Sequence, residues 1–259
     1  KELLNILFFL KEKKVKTIAL PHHVFFAKNK LRHELFVNKN DFDHDNYIRY
    51  KSFDVCYLSN NIQKKSINIQ DKNILEKFKI IKSLRYSKLW INTLLKEIYV
   101  NEILNINNNK INLLVLLPKP FNNLSYKELV KAINILNDSN EFNILLKLPI
   151  KSYSNIKEKF NKGSFYNCKF TSEYHSSFLI SKCDILVFVD TDVFLDAIIQ
   201  DKMVFSLNYL NFNKYYYEDF EIIHKIDSRD DVFQIKDKYK KYNVNKSEKE
   251  KILEFLTSS

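Results

Sequence analysis

The chain has 259 residues, with 42 Lys or Arg against 31 Asp or Glu, a net charge of +11. Hydrophobic residues at 45% and aromatic residues at 14% suffice for a sizeable core and exclude a disordered chain. A single Gly excludes collagen-like and Gly-linker architectures, and the absence of Walker A and GxGxxG patterns excludes both Gly-dependent phosphate cradles. From the start, Lys1–Leu10 reads as a first helix rather than a signal peptide, since it has no small-residue cleavage site. Lys16–Pro21, Phe53–Ser59 and Phe78–Lys82 are short buried-strand candidates. Tyr86–Leu104 has the period of an amphipathic helix, with Leu89, Trp90, Ile91, Leu94, Leu95 and Ile98 on one face and Trp90 expected in the core. Asn105–Lys110 is polar and aperiodic, the best linker candidate.

The second half is more regular. Strands are expected at Ile111–Leu117, Phe142–Leu148, Tyr166–Phe170, Asp184–Val189 and Met203–Leu207. Helices are expected at Ser125–Leu136, Asn155–Phe160, Ser172–Ser181 and Asp192–Ile199, the first with Ser125 and Glu128 as a capping box. Continuous apolar strands alternating with helices are the pattern of a parallel sheet covered on both faces. Two helices, Asp230–Lys240 and Ser247–Leu256, close the chain. The longest apolar runs are too short to span a bilayer. Cys56, Cys168 and Cys183 lie far apart in apolar runs, with no CxxC, which favours buried thiols and a reducing compartment. Lys, Asn, Ile, Phe and Tyr are all abundant and share A/T-rich codons, so much of the basic excess reads as composition drift. A surface for polyanions or acidic lipids remains the alternative.

A parallel sheet places ligands at the carboxyl ends of its strands. The residues to weigh are therefore those that follow strands. Asp190-Thr191-Asp192 precedes a helix containing Asp196. Thr191 or Asp192 can cap that helix, or its free amides can meet a phosphate while Asp196 accepts from a ribose. His22-His23 follows the first strand and can be a surface pair, a general base or a hydrogen-bond donor to a phosphate. Arg85 and Lys88 open the long helix, and Lys119 and Lys147 end strands, where a cation can reach a diphosphate or simply be solvated. His175 reads as an ordinary helix residue. Asn208–Tyr217 is aromatic enough to stack on a base or to dock, but no RNA- or DNA-binding motif accompanies it, so no nucleic-acid partner is expected. No third ligand is placed for a metal.

The order of these elements resembles the two-domain glycosyltransferase B (GT-B) fold, in the branch of CDP-glycerol glycerophosphotransferases and capsular or surface polysaccharide transferases. Leu20-Pro21-His22-His23 stands where that branch has Pro-His-Gly, and Arg85-Tyr86 with Trp90 matches its Arg-Tyr and following Trp. Lys147-Leu148-Pro149 keeps the Lys and Pro of a Lys-His-Pro motif, with Leu in place of His. Asp190–Ala197 and Asp201–Val204 occupy the frame of a hydroxyl pair, an acidic-Ala pair and Gly-Lys-Pro-Val, with Thr191, Asp196 and Lys202 matching and Asp192, Asp201 and Met203 departing. The resemblance implies an α/β fold of two Rossmann-like domains with parallel sheets. It divides the chain into residues 1–107 on the acceptor side, 111–227 on the donor side, and 228–259 as helices crossing back. It implies metal-independent transfer of a sugar or polyol phosphate, without a cofactor, from a nucleotide-sugar or CDP-glycerol donor to a glycan or lipid-linked acceptor of the cell surface. The work would be done in the cytoplasm, with peripheral contact at the acidic inner membrane face. His22 is then the base or acceptor-positioning residue. Arg85, Lys119, Lys147, Thr191 and Asp192 surround the diphosphate, and Asp196 holds the ribose. A UDP-sugar 2-epimerase of the same fold and a non-catalytic scaffold are the alternatives.

Overall fold

Apolar runs with few charges can satisfy their backbone only by pairing, and here they do so in parallel. The computed structural model describes residues 2–20, 52–60, 72–81, 83, 85–99, 109–118, 124–149, 168–211 and 216–257. His22-His23, Lys119, most of the Asn105–Lys110 segment and the Asn155–Phe160 helix lie outside the described residues. The chain divides into two compact units. One comprises Lys1–Phe26, Glu34–Leu84 and Leu253–Ser259, and the other Ala27–His33 and Arg85–Ile252.

The first unit carries α1 (Glu2–Glu12), α2 (Lys72–Leu75) and three parallel strands, β1 (Ile18–Ala19), β2 (Val55–Leu58) and β3 (Phe78–Ile80), in the order β1-β2-β3. Cys56, Leu58, Ile74 and Phe78 form its small core, with Ala19 and Phe53 against it. The start of the β1–β2 pair is fastened by Asp54, whose Oδ2 accepts from the Thr17 amide at 2.7 Å and the Thr17 hydroxyl at 2.8 Å. Those two bonds favour the ionised carboxylate and hold its pKa below the ordinary value.

The second unit is built on six described strands. They are β4 (Ile111–Leu116), β5 (Phe142–Lys147), β6 (Cys168–Thr171), β7 (Ile185–Phe188), β8 (Met203–Ser206) and β9 (Ile223–Lys225), all parallel, in the order β6-β5-β4-β7-β8-β9. That is the Rossmann order, running outward from a central strand and then back past it. Register aligns Thr171, Lys147, Leu116, Phe188, Ser206 and Lys225 as one row across the carboxyl edge. Leu113–Leu117 and Ile185–Val189 are buried without interruption, as a doubly covered sheet requires.

The described α-helices of this unit are α3 (Lys88–Thr93), α4 (Tyr126–Asp138), α5 (Ser176–Ser181), α6 (Phe194–Ile199), α7 (Ile235–Lys240) and the part of α8 (Lys246–Thr257) up to Ile252. Helix α4 puts Leu129, Ala132, Ile133 and Leu136 into the core. Ser125 caps it, accepting from the Glu128 amide, but Glu128 does not close the expected capping box. Its carboxylate takes Lys131 and Arg229 instead. Lys249 of α8 is buried, donates to the Ile199 carbonyl at 3.0 Å and pairs with Asp201.

Three expectations are corrected here. The helix expected over Tyr86–Leu104 is regular only for Lys88–Thr93, after the Ser87 cap, and widens into a π turn over Leu94–Ile98. A π turn takes one more residue per hydrogen-bonded ring and so rotates the apolar stripe off its face. Ile91 and Leu94 stay buried, while Trp90 is 48% exposed and is not a core residue. Second, a further strand, β9, follows Leu207, where the sequence pattern predicts none. Third, the segment read as one helix over Asp230–Lys240 is a 3-10 turn, Asp230–Gln234, followed by α7. The scarcity of Gly also leaves a trace. Lys14, Asn140 and Asp201 sit at φ of 55°, 53° and 59°, where Gly would carry no steric penalty.

Candidate functional site

Strands β4 and β7 are neighbours in the sheet but belong to its two opposite-running halves. The loops after them diverge, which opens a crevice at the carboxyl edge. Of the loop after β4, Leu117 is tied to the Lys147 carbonyl at 3.0 Å, and the Pro118 carbonyl accepts from Tyr126 at 2.7 Å. The loop after β7 is tied to its neighbours through the Val189 carbonyl, which accepts from Asn211 at 3.2 Å and Tyr217 at 3.3 Å.

The Asp190–Val193 segment differs from expectation in one respect. Neither Thr191 nor Asp192 is the N-cap of α6. Val193 takes that place in helical backbone and caps with no side chain. The Thr191 hydroxyl accepts from the Val193 amide at 3.2 Å. The amides of Leu195 and Asp196 bond back to the carbonyls of Asp192 and Val193. These donors are spent within the loop rather than presented to a ligand.

Charged side chains converge beside this loop. Lys147, on the edge row, is 8% exposed, and its ammonium donates to the carbonyls of Ser172 at 3.1 Å and Tyr174 at 2.7 Å. Burial pulls its pKa below the usual lysine value. These bonds pin the loop that leads into α5. At its end stands His175, the N-cap of α5. Its amide donates to the Tyr99 hydroxyl at 3.0 Å, and its Nδ1 accepts from the Ser177 amide at 3.2 Å. Tyr99 in turn stacks on Phe178 at 4.6 Å. Partial burial, then the Arg85 and Lys147 cations, lower the His175 pKa, which favours the neutral ring. With Nδ1 accepting, the proton of that neutral ring is on Nε2.

One turn into α6, Asp196 is 1% exposed, and its Oδ2 accepts from the Ser177 hydroxyl at 2.5 Å. Burial pushes its pKa up to about 6, against the opposing effects of Ser177 and Arg85, and the Asp192 carboxylate adds to the rise. Tyr86 is buried as well. Its hydroxyl is made much harder to ionise by that burial and then by Asp192. The Arg85 guanidinium lies 5.2 Å from the centre of the Tyr86 ring. It makes no hydrogen bond or ion pair with any of the described residues.

Of the residues expected from sequence, Arg85 and Lys147 act electrostatically on His175, and Arg85 and Asp192 on Asp196 and Tyr86, with Thr191 in the same loop as Asp192. His22 and Lys119 lie outside the described residues. Sequence reasoning missed His175, Ser177 and the buried Tyr86 hydroxyl. The signal available for His175 was its place two residues before Ser177 at a helix start. Among the described residues no group of three His, Cys, Asp or Glu side chains could hold a metal ion.

No protein-family profile matches the chain, and no curated protein sequence matches it. Solved structures do. The S. aureus MnaA–UDP structure superposes with a TM-score of 0.62 at 11% identity, over 96% of this chain and 66% of that one. The wall teichoic acid polymerase TagF gives 0.61 at 14%, over 95% and 65%. The UDP-GlcNAc 2-epimerase of Methanocaldococcus jannaschii gives 0.55 at 13%, over 94% and 67%. This chain has a GT-B-like fold. It spans about two thirds of the length of these three solved chains. No described helix is long and apolar enough to cross a membrane.

Proposed function

We propose that the chain binds a nucleotide-activated donor and transfers its sugar, or a polyol phosphate, to a surface-glycan acceptor without a metal. One observation carries this reading. At the carboxyl edge of a Rossmann-ordered sheet, the buried Lys147 ammonium holds the loop that ends in His175, and the Arg85 guanidinium, without a described acceptor, acts electrostatically on that histidine. Transfer from a diphosphate donor develops negative charge on the leaving group, and fixed cations in a partly desolvated site stabilise that charge. The two cations divide the work. Lys147 has spent two of its three donors on backbone and shapes the His175 loop, whereas Arg85 is free to take phosphate oxygens. Thr191 and Lys119 extend the same subsite in this proposal, and His22 is the base or acceptor-positioning residue. Asp196, buried and bonded to Ser177, joins α5 to α6. We therefore assign it to the support of the site rather than to the ribose.

The likeness to TagF, a wall teichoic acid polymerase, favours transfer to a surface polymer, and the +11 charge suits an acidic membrane face as the place of work. The structure of MnaA with UDP makes a uridine donor the first to test. Melting scans with UDP, CDP, CMP and GDP should show stabilisation by one nucleotide. Arg85→Ala should weaken that binding about tenfold or more, the loss of a charged hydrogen-bonding partner. If no nucleotide raises the melting temperature, the donor-site reading falls. Conversion of a UDP-sugar to its 2-epimer without acceptor would replace transfer by epimerisation.

A further inference from the structure

Exposed apolar side chains of the first unit gather on α1 and the turn that follows it. Leu7 is buried, and at about 3.6 residues per turn the opposite face of α1 carries Asn5, Ile6, Phe8, Phe9, Glu12 and Lys13. Phe8 is 68% exposed and Phe9 56%, with Ile6 exposed beside them. Three large apolar side chains on one helix face exceed the single scattered residues of an ordinary surface. The turn extends the same surface. Lys14 takes a left-handed backbone, and the Val15 amide closes the turn on the Leu10 carbonyl at 2.9 Å. The chain then enters β1 with Thr17 buried and bonded to Asp54, while Val15, Ile18 and Leu20 are exposed. Charge decides what fits this surface. Lys11, Lys13, Lys14 and Lys16 are all exposed, against Glu12 as the one acid of that stretch. The Lys13 ammonium lies 5.6 Å from the centre of the Phe9 ring, so cations and apolar groups are interleaved. Lysines at a helix end answer its dipole, but the dipole gives no reason for exposed phenylalanines among them.

We propose that α1 and the turn into β1 dock on an acidic lipid surface, Phe8 and Phe9 entering the acyl boundary while Lys11, Lys13, Lys14 and Lys16 meet headgroup phosphates. Such a surface is the complement of this patch, anionic at its face and apolar just beneath. The long lysine stems let each ammonium stay at headgroup level while the rings go deeper. With 11 residues, α1 is about 16 Å long, roughly half the hydrocarbon core, so it lies in the interface and does not cross it. The proposal deepens the membrane-face part of the reading above and rests on it for what the contact serves. The contact itself needs no nucleotide.

The test is sedimentation of the intact chain with vesicles of phosphatidylcholine alone and of equal parts phosphatidylcholine and phosphatidylglycerol. Binding to the acidic vesicles should be about tenfold or more the stronger, and should fall as added salt shortens the screening length. Lys13→Gln with Lys16→Gln should weaken it about tenfold or more. Phe8→Ser with Phe9→Ser should weaken it at least as much. All four side chains are exposed, so melting temperatures should stay close to the native value. Trp90 is the only Trp, so a Phe9→Trp chain that also carries Trp90→Phe reports on α1 alone. Its emission should move to shorter wavelength on acidic vesicles, which a purely electrostatic contact would not produce. Failure to sediment with acidic vesicles overturns the proposal and the membrane face together, while the donor site, read by the nucleotide melts, stands. Sedimentation unchanged in both double variants overturns the α1 surface alone. Equal binding to neutral vesicles overturns the acidic-lipid assignment. Self-association without vesicle binding, abolished by Phe8→Ser with Phe9→Ser, makes this face an interface between copies and overturns the proposal.

Discussion

Phe188→Ala should destabilise the second unit by about 4 kcal/mol, among the larger effects of any single truncation. Phe188 is the last residue of β7 and fully buried. Its ring stacks on Phe194 at 5.1 Å and meets the edge of Tyr217 at 5.4 Å. Phe194 begins α6, and the Tyr217 hydroxyl reaches the Val189 carbonyl just beyond the strand. Truncation therefore empties the space directly under the Asp190–Val193 loop, with three elements unable to close on it. A fall of about 10 °C in melting temperature is expected for a unit of this size. Phe188→Leu, which keeps most of the volume, should cost about 1.5 kcal/mol or less. Urea melts of both variants check this. A loss below about 1 kcal/mol for the Ala variant would show that the aromatic trio does not hold the loop.

The second large effect has the opposite sign. Asp196→Asn should raise stability at neutral pH. The fold raises the Asp196 pKa from 3.8 to about 6, so the folded state prefers the protonated carboxyl. The contribution of this group is present in full below the unfolded value and is lost as pH rises through about 6. The difference corresponds to about 3 kcal/mol between acid and neutral conditions. Asn keeps an oxygen for the Ser177 hydroxyl and carries no charge. The melting temperature of the variant should exceed that of the native chain above pH 7 by several degrees and converge with it near pH 4. Melts at half-unit steps from pH 4 to 8 measure it. Parallel curves across that range would place the charge of Asp196 outside the low-dielectric interior.

The two outcomes bear on what the sequence made legible. Strands β4, β5, β7 and β8 were readable because strands buried on both faces must be apolar at nearly every position, a signal that survives drift in the other residues. Strand β9 escaped because Ile223-His224-Lys225 is a short edge strand with one buried residue, too brief to show a run. Trp90 was misplaced because period counting assumes α geometry, and the π turn after Thr93 breaks it. Asp201 shows the reverse case. The resemblance puts Gly there, and Asp201 sits in the left-handed region at φ 59°, where Gly would carry no steric penalty. At the site, the positions of Arg85, Lys147 and Asp196 followed from counting to strand and helix ends. Their commitments did not, because the carbonyls that occupy Lys147 come from residues 25 and 27 positions away and the hydroxyl that occupies Asp196 from one 19 positions away. His175 was overlooked for the same reason, since a cap is read from local sequence but its neighbours Arg85 and Lys147 are not.

The bond from Lys249 to Ile199 has a consequence for dissecting the molecule. Ile199 ends the helix that contains Asp196, and its carbonyl is met by a buried ammonium supplied 50 positions later. An expression boundary drawn after the last strand, at Lys225, would keep every strand of the second sheet and still strip α6 of its terminal partner. A piece carrying the Arg85 cluster should therefore extend past Lys249. A protease that clips the linker before α8 should release the cluster long before it unfolds the sheet.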